Sequence, residues 1–237
     1  MMETIIKEAL KGDRKSIARC LSMLENNAGA ASACLEIASQ PSTVPVIGIT
    51  GPPGAGKSSL VDAMLGVFDQ QHKKVAVLCI DPSSPFHSGA LLGDRIRMNR
   101  WHDHPNFYIR SLSSRGTTGG LHPKIREIIG FLKQCPFDLI LLETVGVGQS
   151  EVDIARMADT KILVLVPEAG DEIQFMKSGL MEVADIFAVN KSDRPGADLF
   201  AKRLKQMSGD RPVIKTTATR NEGILTLIET FSHHINK

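Results

Sequence analysis

The segment Gly51-Pro52-Pro53-Gly54-Ala55-Gly56-Lys57-Ser58 is the strongest indicator of the fold in this chain. It fits the pattern G-x-x-x-x-G-K-[ST], in which glycines let backbone N–H groups turn inward around a phosphate. The strand-like run VIGIT comes directly before it, and the amphipathic run SLVDAMLGVF follows it. A strand, a glycine-rich loop and a helix in this order predict a phosphate-binding loop, because the N-terminus of the helix adds a partial positive charge.

Each polar residue of this loop has an expected task. We expect Lys57 to reach the β- and γ-phosphates of a nucleotide and Ser58 to place its hydroxyl on Mg²⁺. The candidate phosphate-binding residues are Gly51, Pro52, Pro53, Gly54, Ala55, Gly56, Lys57, Ser58 and Ser59.

Two acidic residues close apolar runs and are candidates for the magnesium site. Glu143 ends the run LILLE, and Glu143-Thr144-Val145-Gly146 matches the D-x-x-G element of GTPases with Glu in place of Asp. Asp81 follows the run VAVLCI. Both are therefore expected at the carboxyl edge of a parallel sheet, where ligands bind in such folds.

The segment Asn190-Lys191-Ser192-Asp193 predicts which base is bound. It fits N-K-x-D and follows the apolar run DIFAVN. The Asp193 carboxylate can accept hydrogen bonds from both N1–H and the 2-amino group of guanine, whereas adenine lacks this pair of donors. We therefore expect GTP rather than ATP, with Thr217, Ala218 and Thr219 in the loop under the base.

The runs of apolar residues predict an α/β fold with a doubly wound, mostly parallel sheet. Several runs are apolar at consecutive positions, as in a strand covered by helices on both faces. The predicted strands are Pro45–Thr50, Val75–Ile80, Phe107–Leu112, Leu139–Glu143, Ile162–Val166, Ile186–Asn190 and Val213–Thr217. Residues 2–40 are predicted to be helical, with a break at Gly12-Asp13 and Asp13 as an N-cap. The expected organisation is an N-terminal helical extension over 1–43 and a P-loop domain over 44–237.

Composition and charge exclude several function classes. The chain has 28 basic and 26 acidic residues and a net charge of +2, which gives no electrostatic argument for binding nucleic acid or a membrane surface. No apolar run reaches the ~18 residues of a membrane-spanning helix, and the charged N-terminus lacks a signal-peptide core. The four cysteines are widely separated, which predicts no disulfide framework and fits a reducing cytoplasm.

The residues expected to orient the attacking water are harder to identify than those expected to bind the nucleotide. In Ras-type proteins a Gln directly after D-x-x-G orients the attacking water, but Val147 occupies that position here. We therefore expect slow intrinsic hydrolysis with help from Gln149, Asp94 or Lys177. The candidate catalytic residues are Lys57, Asp94, Glu143, Gln149 and Lys177.

Taken together, these segments resemble a known family. The segments are GPPGAGKSS, DPSSPFHSGALLGDRIRM (81–98), RGTTGGL (115–121), ETVGVGQSE (143–151), PEAGDEIQFMKSG (167–179) and NKSD. The chain is similar to the MeaB/ArgK/MMAA family of P-loop GTPases (SIMIBI type) from about residue 5 to residue 230. Members of this family are G-protein chaperones of adenosylcobalamin-dependent acyl-CoA mutases of the methylmalonyl-CoA mutase type.

The resemblance implies further roles. Asp81 and Asp94 would lie in or beside a first switch, residues 143–151 would form a second, and residues 171–177 a third that senses the mutase. The implied metal-binding residues are Ser58, Asp81, Asp94 and Glu143. The implied function is to gate cofactor loading and to protect or reactivate the mutase through GTP binding and hydrolysis. Family members are usually homodimers with a C-terminal helical arm, and we expect this arm to be absent here. A monomer and a homodimer formed across the nucleotide face are the alternatives that this leaves open.

Two other functions are compatible with the same loop. A metal-insertion GTPase of the hydrogenase or urease accessory type shares the fold but usually carries a His-rich tract or a Cys/His pair. A P-loop small-molecule kinase would need an acceptor pocket with a catalytic base. The segment Trp101-His102-Asp103-His104 is interpreted as a surface helix end rather than a metal site.

Overall fold

A seven-stranded sheet forms the centre of the molecule. The computed structural model describes residues 2–26, 31–81, 98–113, 122–144, 157–167 and 179–235. The strands are β1 (Val46–Thr50), β2 (Val75–Asp81), β3 (Phe107–Ser113), β4 (Leu139–Thr144), β5 (Thr160–Leu165), β6 (Ile186–Val189) and β7 (Val213–Lys215). All seven predicted strands are present, with ends that differ by one or two residues.

The strand order places the phosphate-binding loop near the middle of the sheet. The order is β3-β2-β4-β1-β5-β6-β7, and every neighbouring pair is parallel. The strand β1 therefore lies between β4 and β5, so the loops that follow these three strands meet at one edge. Ligands bind at such an edge in open α/β sheets.

Helices cover both faces of the sheet, as the consecutive apolar runs indicate. The helices are α1 (Met2–Leu10), α2 (Arg14–Asn26), α3 (Ala31–Ala38), α4 (Lys57–Gln70), α5 (Ile125–Leu132), α6 (Leu180–Val183), α7 (Ala197–Met207) and α8 (Ile224–Ile235). Alternate strand residues enter opposite clusters: Leu141 packs with α4 and α8, and Leu142 packs with α1, α2, α3 and α5. None of the helices in the described ranges is long and apolar enough to cross a membrane.

The N-terminal helices pack against the sheet. Asp13 caps α2 as predicted, because its Oδ2 accepts a hydrogen bond of 2.8 Å from the Ser16 N–H. Cys20 of α2 and Cys34 of α3 lie in one apolar cluster with Ile140 and Leu142 of β4. Burial raises the pKa of Cys20 to about 12, so this thiol stays protonated and packs as a small apolar group. The boundary between an extension and a main domain at residue 43 stays a prediction.

The segment after residue 98 is fastened to the helix that follows the phosphate-binding loop. Asp62 of α4 accepts hydrogen bonds from Trp101 Nε1 at 2.8 Å and from Arg100 Nη2 at 2.6 Å. His104 Nε2 lies 3.0 Å from Asp69 Oδ1, and its ring stacks on Phe107. Trp101 and His104 therefore contact α4, at and just after a 3₁₀ turn (Asn99–Trp101).

Two helical glycines give a matched test of this packing. A Cβ at Gly130 of α5 would lie 2.3 Å from the Ala38 carbonyl oxygen at the end of α3. A Cβ at Gly66 of α4 would meet Trp101 Cζ2 at 3.9 Å, an ordinary contact. We expect Gly130→Ala to lower the free energy of unfolding by about 1–3 kcal/mol through overpacking. We expect Gly66→Ala to leave it unchanged or raise it by up to ~1 kcal/mol, because alanine favours helix.

Urea unfolding followed by circular dichroism measures both variants against the parent protein. Equal stability of the two variants would contradict the close approach of α3 to α5.

Candidate functional site

The phosphate-binding loop connects β1 to α4, and its glycines are required by close neighbours. Gly51 has φ +143°, and a Cβ there would lie 2.1 Å from the Val164 carbonyl oxygen of β5. Gly56 has φ +86°, and a Cβ there would lie 2.5 Å from Asn190 Nδ2. Both positions therefore exclude any side chain, which explains the spacing of these two glycines.

Lys57 is the first residue of α4, and its side chain curls over the loop. Its Nζ donates hydrogen bonds to the carbonyl oxygens of Gly51 at 2.7 Å and Pro52 at 3.0 Å. The residue is only 6% exposed. The ammonium group is therefore held inside the curve of the loop, where a phosphate chain would need its charge.

Ser58 and Glu143 form a buried pair beside the loop. The Ser58 hydroxyl donates a hydrogen bond of 2.6 Å to Glu143 Oε1, and the Cys79 thiol lies 3.9 Å from Glu143 Oε2. The sheet explains this arrangement, because Glu143 of β4 is paired with Ile49 of β1 and Cys79 of β2. Glu143 therefore lies at the carboxyl edge of the sheet, as expected, and contacts the start of α4 through Ser58.

This pair presents two oxygen atoms of the kind that a magnesium ion binds. Mg²⁺ prefers hard oxygen donors and is usually bound by one or two carboxylates together with substrate phosphates and water. Within the described ranges, no group of three or more His, Cys, Asp or Glu side chains is arranged to hold a metal ion. A hydroxyl and one carboxylate therefore fit Mg²⁺ that also binds a nucleotide, and do not by themselves form a zinc-type site.

Asn190 joins the two loops of the site through its side-chain amide. Its Nδ2 donates to the Ala55 carbonyl oxygen at 2.9 Å, which fixes the phosphate-binding loop. Its Oδ1 accepts hydrogen bonds from Thr216 Oγ1 and from the Ala218 N–H, both at 3.2 Å. With 2% exposure, this amide has all its contacts inside the protein.

The predicted base-binding residues gather at the same edge of the sheet. Lys191 adopts φ +56°, and its Nζ donates to the Gly54 carbonyl oxygen at 2.8 Å. The Asp193 carboxylate is 30% exposed and lies 3.3 Å from Arg220 Nη2. Thr217 and Ala218 are buried and Thr219 is exposed, in the turn that follows β7. The structure thus brings the N-K-x-D segment, the loop of residues 217–219 and the phosphate-binding loop together.

Comparison with known proteins identifies the family. A model of the family described as methylmalonyl-CoA mutase-associated GTPase MeaB matches residues 17–237. The chain belongs to the MeaB family. Like the other members of this family, it is a P-loop GTPase.

Individual MeaB relatives agree with this assignment. A GTPase of Pyrococcus abyssi is 42% identical over 246 residues, which cover 99% of this chain and 76% of the relative. The fused isobutyryl-CoA mutase of Cupriavidus metallidurans is 36% identical over 244 residues, covering 95% of this chain and 22% of that protein. The crystal structure of LAO/AO transport system kinase superposes with a TM-score of 0.79 and 25% identity, covering 98% of this chain and 74% of that one.

Several site residues predicted for this MeaB chain are not described by the structure. Asp94, Gln149 and Lys177 lie outside the described residues, as do residues 145–151 of the expected second switch and residues 171–177 of the third. Asp81 ends β2, paired with Ser113 of β3, and nothing is described of its side chain. The metal and catalytic roles of these residues therefore stay predictions.

Two contacts of the site were not found by sequence reasoning. Thr216 Oγ1 donates to Asn190, and Arg220 faces Asp193 across the two loops. Thr216 lies inside the predicted strand Val213–Thr217, whereas β7 ends at Lys215, so the predicted strand end did not indicate that Thr216 belongs to the loop. No signal in the sequence singles out Arg220 from the other exposed arginines, because its position depends on the turn that follows β7.

Asn190 provides a direct test of the link between the loops. Asn190→Asp keeps the Oδ1 acceptor but replaces the Nδ2 donor, so that a carboxylate oxygen would face the Ala55 carbonyl oxygen. We expect the free energy of unfolding to fall by about 2–4 kcal/mol in urea without nucleotide, because a buried unpaired charge is costly.

Asn221→Asp is the matched control, since Asn221 is exposed with φ +57° and aspartate tolerates that conformation. If both variants were as stable as the parent protein, the proposed importance of the Asn190 amide would be wrong.

Proposed function

We propose that this protein is a GTP-binding, slowly hydrolysing chaperone for an adenosylcobalamin-dependent acyl-CoA mutase of the methylmalonyl-CoA mutase type. In this proposal it gates cofactor loading and protects or reactivates the mutase. The observation that carries the nucleotide part is the buried Ser58–Glu143 pair beside Lys57, joined to the base-binding loops by Asn190. The mutase part is supported by the family description and by the similarity to a fused isobutyryl-CoA mutase.

Phosphate binding would use the loop and the start of α4. Lys57 would exchange its hydrogen bonds to the Gly51 and Pro52 carbonyl oxygens for phosphate oxygens, and the N-terminus of α4 would add its partial positive charge. The Ser58 hydroxyl and the Glu143 carboxylate would hold Mg²⁺, with Asp81 and Asp94 as further candidates. When bound, the ion would neutralise charge on the phosphate oxygens.

Recognition of guanine would depend on Asp193. Its carboxylate would accept the N1–H and 2-amino donors of the base, while residues 217–219 would lie under the ring. An adenine base would leave the carboxylate without these donors. Lys191 would flank the base, because its Nζ is already held at the Gly54 carbonyl oxygen.

Hydrolysis would be slow without a partner. Val147 stands where a water-orienting glutamine is expected, and valine cannot hydrogen-bond water. Gln149, Asp94 and Lys177 are the candidates for this task. A slow reaction that a partner accelerates is suited to a timer of protein assembly, in which the GTP state marks one stage of cofactor loading.

The cytoplasm is the proposed compartment. All four cysteines, Cys20, Cys34, Cys79 and Cys135, are buried thiols. Free thiols persist in a reducing compartment, and burial raises the pKa of Cys135 to about 12. Cys20 and Cys135 therefore stay protonated and contribute packing rather than redox or metal chemistry.

Removal of the Lys57 ammonium tests the phosphate-binding assignment. We expect Lys57→Ala to weaken GTP binding at least about 100-fold, because charge-assisted hydrogen bonds to phosphate are lost. The measurement is a titration with a fluorescent GTP analogue. Lys73→Ala is the control, since Lys73 follows the far end of α4 and pairs with Asp138 on the surface. Micromolar affinity retained in Lys57→Ala would refute the assignment.

A partner assay tests the chaperone role. We expect the steady-state rate of phosphate release from GTP to rise several-fold when a purified adenosylcobalamin-dependent acyl-CoA mutase from the same organism is added. The physical reason is that the partner would supply or order the missing water-positioning group. An acyl-CoA enzyme that uses no cobalamin is the control. A rate indifferent to the mutase, or transfer of the γ-phosphate to a small molecule, would contradict this role.

A further inference from the structure

Arg220 faces the carboxylate that is expected to read the base. Its Nη2 lies 3.3 Å from Asp193 Oδ2, with the Asp193 side chain 30% exposed and the Arg220 side chain 60% exposed. The two residues come from different loops, one after β6 and the other after β7. The guanidinium group therefore lies at the base-binding carboxylate without belonging to the N-K-x-D segment.

The backbone that carries Arg220 is fixed by local contacts. Its N–H donates to the Thr217 carbonyl oxygen at 2.9 Å, and Thr217 exchanges two hydrogen bonds with Glu222 across the turn. A Cβ at Gly223 would lie 2.0 Å from the Lys215 carbonyl oxygen, so the chain leaves the turn along one path. The backbone of Arg220 is therefore fixed, but its side chain is exposed. The guanidinium group can either stay beside the Asp193 carboxylate or turn toward water.

The chemistry of the base determines what this cation does. Guanine offers two donors, N1–H and the 2-amino group, one for each oxygen of the Asp193 carboxylate. Hypoxanthine keeps N1–H but lacks the 2-amino group, so one carboxylate oxygen would lose its donor. A neighbouring guanidinium can supply the missing hydrogen bond, since arginine presents several N–H donors in a planar fork.

We propose that Arg220 is a specificity-determining residue of this site, which keeps the Asp193 carboxylate paired when the base lacks a 2-amino group. Arg220 thereby narrows the preference for guanine over hypoxanthine nucleotides. The inference rests on the proposed function, because it requires Asp193 to bind the base. The new element is that the preference for guanine over hypoxanthine depends on the loop after β7 and on a residue outside the N-K-x-D segment.

The test compares the dissociation constants of GDP and inosine diphosphate, which avoids hydrolysis. We expect Arg220→Ala to weaken inosine diphosphate binding by about three- to tenfold and to change GDP binding by less than about twofold, because only hypoxanthine leaves the carboxylate oxygen unpaired. The ratio of the dissociation constant of inosine diphosphate to that of GDP should therefore increase. Arg220→Lys should restore part of the inosine diphosphate affinity through its remaining donors.

Controls separate this role from charge and from folding. Arg203→Ala removes the same charge from the exposed face of α7 and should leave the ratio unchanged. Urea unfolding should show Arg220→Ala to be as stable as the parent protein, since an exposed ion pair contributes little stability.

Each other outcome has a distinct meaning. An unchanged ratio in Arg220→Ala would overturn the inference while leaving the proposed function intact. Equally weakened binding of both nucleotides would also overturn the inference, because that result would mean that Arg220 only stabilises the loop. Failure of the parent protein to bind GDP would overturn the proposed function and this inference together.

Discussion

The buried amide of Asn190 is the interaction on which the site depends. It holds the Ala55 carbonyl oxygen of one loop and the Ala218 N–H of another, so the phosphate-binding and base-binding loops share one anchor. A buried amide that lost one of these partners would leave a polar atom unsatisfied. Because this free-energy cost opposes separation of the two loops, they keep their relative position. A ligand that spans both loops therefore binds to a site that is already formed.

The sheet explains why this anchor and the magnesium candidates lie together. The position of β1 between β4 and β5 sets the start of α4 beside Glu143 on one side and brings Val164 against Gly51 on the other. The strand register pairs Glu143 with Ile49, and this pairing places the Glu143 carboxylate within hydrogen-bond distance of the Ser58 hydroxyl. The consecutive apolar residues of the strands are buried on both faces of the sheet. This burial stabilises the fold that positions the polar site.

Much of this arrangement could be predicted from local sequence. The seven strands, the Asp13 cap and the nearness of Glu143 to the phosphate-binding loop follow from apolar runs and from residues that end them. Strand ends were less accurate: β6 ends at Val189, although the Asn190 N–H still donates to Leu165 of β5, and the Asn190 side chain bonds the loops. The Arg220–Asp193 contact and the fastening of Trp101 to Asp62 depend on tertiary placement, which no local pattern encodes. The roles of Asp94, Gln149 and Lys177 stay predictions.

We infer that one preformed site binds both the phosphates and the guanine base. Calorimetric titration of the parent protein with non-hydrolysable analogues of GTP and ATP, with and without Mg²⁺, tests it most directly. We expect micromolar binding of the GTP analogue, strengthened by Mg²⁺, and binding of the ATP analogue at least about 100-fold weaker. Equal affinity for the two analogues would contradict the role of Asp193, and indifference to Mg²⁺ would contradict that of Ser58 and Glu143.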